Sequence, residues 1–170
     1  MKSSDKLIYY EKVTSKRTET LFLALVVIFS LFCIWRVIAV SMDILAVVFF
    51  GLSVLFIFYS VNFRTLIIRL TDESLRLTFG IFTWTVPLDN IETCQLDDNL
   101  PALMEYGGAG IHFMLIRKRY RASFNFLEHS RVVIGLKRKV GPVRDISFTT
   151  CQPIELIQRI QGAISARKVA

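Results

Sequence analysis

Two apolar runs, Leu21 to Val40 and Ile44 to Val61, are separated only by Ser41, Met42 and Asp43, and no other feature restricts the fold as much. A helix needs about 20 residues to cross the roughly 30 Å hydrocarbon core of a bilayer, and each run is near that length. Two spans joined so tightly form a helical hairpin, which returns the chain to its starting face. LFLALVVIFSLFCIW and ILAVVFFGLSVLFIFYSV are apolar all round, unlike the one-sided stripe of a helix lying on a soluble core. A cleaved signal peptide does not fit, because its apolar centre spans about 7 to 15 residues and ends at a small-residue cleavage site.

The charges orient the hairpin. Lys2, Lys6, Lys12, Lys16 and Arg17 precede the first run, Arg64 and Arg69 follow the second, and the connecting turn carries only Asp43. Basic residues near span ends stay in the cytoplasm, so both termini are expected there. The chain divides accordingly into a cytoplasmic juxtamembrane segment (1–20), a two-span hairpin (21–63) and a cytoplasmic domain (64–170). Arg36 lies about 22 Å along the first helix at 1.5 Å per residue, near its outer end, where its side chain is expected to snorkel to the far interface. Gly51 and Ser30 are small enough to let the two helices approach closely.

Positive charge concentrates late in the chain. Residues 111–170 carry twelve basic and three acidic side chains, against three and seven in residues 64–110. Arg117, Lys118, Arg119 and Arg121 form one cluster, and Lys137, Arg138 and Lys139 form another. Such clusters read either as solvated hairpin loops or as contacts to anionic lipid or an acidic partner. Cys33, Cys94 and Cys151 are isolated, which argues for reduced thiols and against a disulfide or zinc framework.

From Arg64 onward the apolar period changes to two. Leu75, Leu77 and Phe79, then Ala122, Phe124 and Phe126, then Val132, Ile134 and Leu136 alternate with other residues, as half-buried strands do. Turn signals separate them at Thr71 to Ser74, Gly80, Pro87 to Asn90, Asp97 to Leu100, Gly107 to Gly110, Arg117 to Arg121, Glu128 to Ser130 and Gly141 to Pro142. Short strands so closely spaced predict an antiparallel barrel or sandwich. The end of the chain is different. Pro153 suits a first helical position, Glu155 the first turn and Arg167 with Lys168 the last. Leu156, Ile157, Ile160 and Ile164 make one apolar stripe, suited to covering an open end of the barrel.

This order resembles the small bacterial integral membrane proteins that carry a C-terminal pleckstrin-homology-like domain. The resemblance rests on Val86-Pro87-Leu88-Asp89-Asn90-Ile91, Tyr106-Gly107-Gly108-Ala109-Gly110-Ile111, Ile134-Gly135-Leu136-Lys137 and Phe148-Thr149-Thr150-Cys151-Gln152-Pro153-Ile154-Glu155-Leu156, and covers about the last two-thirds of the chain. It implies a mainly-β pleckstrin-homology-like antiparallel barrel closed by a C-terminal helix, in a multi-pass protein of the bacterial cytoplasmic membrane. Relatives often place a basic residue after the Gly-Ile pair, where this chain has His112. Eukaryotic lipid-binding members carry basic residues in their first strand connection, whereas Thr71-Asp72-Glu73-Ser74 is acidic.

No residues form a catalytic pattern. His112 and His129 are single histidines without an evident nucleophile nearby, and Gly107 to Gly110 lacks the Lys-Ser/Thr and following helix of a phosphate loop. Asp97 and Asp98 lack the spacing of a calcium loop. Phe124, Phe126 and Phe148 fall on the inward face, so stacking on nucleic acid is not expected, whereas Phe82 and Trp84 follow the turn at Gly80 and read as either core or loop-tip aromatics. No cofactor or metal is implied. Two functions fit: a non-enzymatic scaffold docking a protein partner or the anionic membrane surface, or an accessory subunit of a larger membrane enzyme or transporter held through the hairpin.

Overall fold

The computed structural model describes residues 6–97, 110–116 and 118–169. Lys2, Asp98, Arg117, the stretch Gly107 to Ala109 and the side chain of Lys168 lie outside the described residues.

Two helices, α1 (Lys16–Val40) and α2 (Ile44–Asn62), are long and apolar enough to cross a bilayer. α1 begins a turn before its apolar run because Ser15 caps it, its Oγ accepting the Thr18 N–H at 3.1 Å. Ser41, with φ of 77°, ends α1, and Asp43 caps α2 by accepting the Ala46 N–H at 2.9 Å. Their apolar side chains point outward along most of the hairpin, including Ile34, Trp35, Ile38, Phe50 and Ile57, so it is not the buried core of a soluble bundle. The helices meet through Phe29 stacked on Phe56, centroids 5.5 Å apart, and through the Ser30 hydroxyl, which donates to Ser53 Oγ at 3.3 Å. Close approach is made at the buried Ala46 and Ser53. The sequence expectation for Gly51 is corrected here: a side chain added there would meet open space. Arg36 does not reach into solvent alone but pairs with Asp43 at 2.8 Å.

The segment ahead of the hairpin is a strand, which the sequence reading did not anticipate. β1 (Leu7–Thr14) pairs antiparallel with β2 (Thr65–Thr71), from Thr14 opposite Thr65 to Leu7 opposite Thr71. Antiparallel neighbours are usually joined by two to five residues; here residues 15–64, the whole hairpin, join them. β3 (Ser74–Phe79) and β4 (Phe82–Pro87) complete a sheet of order β1-β2-β3-β4. The β3–β4 turn tucks beneath α2 so closely that a Cβ on Gly80, φ +60°, would collide with the Asn62 carbonyl.

After a 3-10 turn at Leu88–Asn90 come β5 (Ile91–Leu96), β6 (Gly110–Ile116), β7 (Arg119–Asn125), β8 (Ser130–Val140) and β9 (Val143–Thr150). They form a second sheet of order β5-β8-β9-β7-β6. This is no simple meander, and β7 runs parallel to β9, so the expectation of purely antiparallel pairing is corrected. Nor do the described strands close a hydrogen-bonded barrel: the two sheets are separate ladders. They share one core, with Leu66, Ile68, Leu75, Leu77 and Phe79 facing Phe124, Phe126, Ile134, Ile146 and Phe148. α3 (Pro153–Val169) adds Leu156 and Ile160, both buried, with Ile157 and Ile164 packed at the margin, as the stripe predicts. It lies against β5, β8, β1 and the 3-10 turn.

Candidate functional site

Which end of the domain adjoins the hairpin follows from contacts at the helix base. The Leu127 N–H donates to Thr18 Oγ1 at 3.2 Å, Arg17 lies 3.4 Å from Glu128, and Arg64 pairs with Glu19 at 2.7 Å. The β7–β8 connection is therefore at the base. The turns joining β6 to β7 and β8 to β9 are at the far end, six residues or about 20 Å back along β7 at 3.3 Å per residue. The described members of both basic clusters lie at this far end, Lys118 in the β6–β7 turn, Arg119 and Arg121 at the start of β7, and Lys137, Arg138 and Lys139 at the end of β8.

The clusters are also less uniform than the sequence suggests. Lys118, φ 65°, is at the tip of the β6–β7 turn, and Arg119 lies 3.5 Å from Asp145. Arg121 must be withdrawn as a surface contact: its side chain is only 11% exposed and both oxygens of Asp97 accept from Nη1 at 2.8 Å. Asp97 Oδ2 also accepts from the Ser147 hydroxyl at 3.0 Å. Lys137 Nζ donates to the Asp89 carbonyl at 2.7 Å and Arg138 lies 3.3 Å from the Asp89 carboxylate, while Lys139 is exposed. A further pair went unnoticed in the sequence. Arg69 and Arg76 are direct cross-strand partners on the outer face of the first sheet, with Arg69 5.6 Å above the Tyr10 ring. Only the β2–β3 register shows that these like charges meet.

The structure gives His129 the neighbour that the sequence did not: Cys151 Sγ lies 3.8 Å from Nδ1. Nε2 is 3.1 Å from the Thr14 carbonyl, an acceptor that fixes the proton on Nε2 and leaves Nδ1 facing the thiol. This does not prepare a nucleophile. Burial, and then the charge of Glu11, raise the Cys151 pKa, which disfavours the thiolate. Glu11 instead organises the join between β1 and β9, accepting from the Tyr9 hydroxyl at 2.8 Å, the Thr150 hydroxyl at 2.6 Å and the Cys151 N–H at 2.7 Å.

A further concavity is apolar. A cavity of 510 Å³ opens in the seam between β4 and β6, each an edge strand of its sheet among the described residues, beneath the last turns of α2. Leu55, Phe58, Tyr59 and Phe63 form its roof, Phe82, Thr83 and Trp84 one wall, Gly110 to Phe113 the other, and Phe124 the back. Its size falls in the range of small-ligand sites, roughly 300 to 1,000 Å³.

No protein-family model, curated protein or solved structure matches the chain.

The physical features of this cavity must therefore speak for it. Among the described residues, no Asp, Glu, Lys or Arg lines it. Phe82 and Phe113 stand 47% and 63% exposed at its rim, whereas soluble surfaces seldom leave neighbouring aromatics uncovered. The indole N–H of Trp84 is buried and finds no acceptor among the described residues. Phe82 and Trp84 carried a sequence signal, being aromatics just after a glycine turn; the α2 and β6 walls carried none, since nothing in the sequence brings residue 58 against residue 113.

Proposed function

We propose that the chain is a membrane-anchored, non-enzymatic interaction module of the bacterial cytoplasmic membrane, whose cytoplasmic pleckstrin-homology-like domain docks an acidic protein partner. The observation that carries this reading is the position of the exposed basic side chains. Lys118, in the β6–β7 turn, and Lys137, Arg138 and Lys139, at the far end of β8, lie about 20 Å along the strands from the helix base, and the leaflet potential decays over a Debye length of about 8 to 10 Å. Anionic lipid is too far to be their main partner, and an acidic protein surface is the remaining polyanion for a tethered domain. Arg69 facing Arg76 points the same way, because an acidic side chain laid across that pair would relieve their repulsion. The likeness to pleckstrin-homology-like domains is supported by two sheets sharing one core with a C-terminal helix against it; the order of the second sheet departs from a meander.

A photoactivatable side chain at Lys118 or Lys139 of the full-length protein, in its native membrane, tests this. The expected result is a protein adduct of defined mass that disappears at high salt and in a Lys137→Glu, Lys139→Glu background. Adducts to lipid alone, or a protein adduct indifferent to both salt and charge reversal, would overturn it.

A further inference from the structure

We propose that the cavity between β4 and β6 holds an acyl chain of a glycerolipid from the adjoining leaflet. This rests on the hairpin lying in a bilayer and is independent of the identity of any protein partner.

The route into the cavity is the outward face of α2. Phe49, Ser53 and Phe56 are the residues with which α2 meets α1. Leu55 and Phe58 lie on a different face, are each 40% exposed, and in a bilayer would be covered by lipid. The same two side chains are part of the cavity roof. One turn further into the span, Gly51 shares this stripe at i and i+4 from Leu55, and a side chain there would touch nothing. The stripe Gly51, Leu55, Phe58 is thus an apolar track that begins among lipid tails and ends inside the domain.

The chemistry of the walls selects a tail and excludes a headgroup. Among the described lining residues, Tyr59, Thr83 and His112 are the only side chains with polar atoms apart from Trp84, and none of them carries a formal charge to meet a phosphate at neutral pH. The Trp84 N–H is buried and has no acceptor among the described residues, a costly condition for an indole. An ester carbonyl at the top of an acyl chain supplies one. Water would satisfy the N–H but would leave the surrounding aromatic wall wet, so the cavity favours an occupant that is apolar along its length with an acceptor at one end.

The two tryptophans of the chain, Trp35 and Trp84, make the test spectroscopic. Full-length protein carrying Trp35→Phe is reconstituted into vesicles of phosphatidylcholine brominated near mid-chain. Trp84, a residue of the soluble domain, should lose most of its emission. Phe82→Asp with Phe113→Asp, placed at the exposed rim, should restore it while the circular dichroism shows the fold retained, and Phe113→Asp alone, which leaves the Phe63–Phe82 contact in place, should restore it in part. Undiminished Trp84 emission in brominated vesicles, with Trp35 quenched in a Trp84→Phe control, would overturn the proposal and leave the seam to a protein segment added along β4 or β6. Quenching that persists in the double aspartate variant would also overturn it, since Trp84 would then merely lie close to the leaflet. Absence of quenching at both tryptophans would remove the bilayer itself, and the membrane anchoring of the proposed function with it.

Discussion

Replacing Val13 should weaken the whole domain, although residue 13 precedes both apolar helices. Val13 is fully buried in the common core, on a strand paired with β2, while its neighbour Lys12 points to solvent. Val13→Ala removes two carbons' worth of buried surface, about 0.8 kcal/mol each, and leaves a small cavity that brings the loss to about 2 kcal/mol. Val13→Asp adds the desolvation of an unpaired carboxylate and should cost several kcal/mol, a large part of the 5 to 15 kcal/mol typical of a domain. Hydrogen exchange on the full-length protein in detergent reads this directly. If the amides of β2 exchange by opening of the first sheet, Val13→Ala should speed them by roughly thirty-fold, at about 1.4 kcal/mol per factor of ten. Lys12→Ala is the control and should change little. Val13→Asp behaving like Lys12→Ala would refute the strand pairing, and with it the insertion of the hairpin between β1 and β2.

Ile160→Asp puts a carboxylate into the core beneath α3, and a fall in melting temperature of about 10 °C or more is expected from a loss of several kcal/mol; a shift of a degree or two would show that this face of α3 is not covered. Arg121→Met leaves the buried Asp97 carboxylate without its partner and should cost about 3 to 5 kcal/mol. The double variant Asp97→Asn, Arg121→Met should recover part of that loss in a double-mutant cycle, and full additivity would refute the pair. Alkaline pH should destabilise the domain through Cys94, whose pKa burial pushes from its ordinary 9.0 up to about 12. The unfolded thiol ionises first, so the folded state binds the extra proton and stability falls as pH rises from about 9 to 12. Cys94→Ala should flatten that part of the stability–pH curve measured by denaturant titration, and an unchanged slope would refute the assignment.

Local pattern carried much of the fold. The hairpin was legible because two long apolar runs, interrupted only by Arg36 and joined by three residues, have no other economical arrangement, and Leu75, Leu77 and Phe79 declared an inner face by alternation alone. β1 was not legible. LIYYEKVT alternates imperfectly, and next to a long apolar run its lysines read as interfacial charge, whereas its stability comes from pairing with a strand more than fifty residues away. The second sheet was misread for a related reason. Ser123, Asn125, Ser147 and Thr149 look like solvent-facing positions, yet they are buried, so polarity at alternate positions did not mark a wet face. Arg121 is the clearest example: as one of several neighbouring basic residues it looked like surface charge, and only the approach of Asp97 from 24 positions away makes it a buried ion pair. The cavity was half legible, through Phe82 and Trp84, because its other half depends on which strand edges are left unpaired.

The insertion of the hairpin and the open seam are two consequences of one arrangement. α2 leads directly into β2, and β4 lies two strands further along the sheet, about 9.6 Å away at 4.8 Å per strand. A helix with its side chains reaches about 5 Å from its axis, so α2 above β2 overhangs β3 without any additional loop, and Phe63 at its end bridges the remaining step to Phe82 on β4. Phe63 makes the overhang rigid: it packs on Tyr59 above at 5.2 Å, and on Phe79 and Phe82 below at 5.0 and 6.2 Å. On the other side, α1 is held by Thr18 and Arg17 to the β7–β8 connection. With both helices fixed at their bases and Thr14 opposite Thr65, neither helix can rotate about its own axis without breaking the β1–β2 ladder at its first pair. The roof of the cavity is therefore set by backbone pairing, and a change in how the two helices tilt or pack against each other must be felt at the seam between β4 and β6.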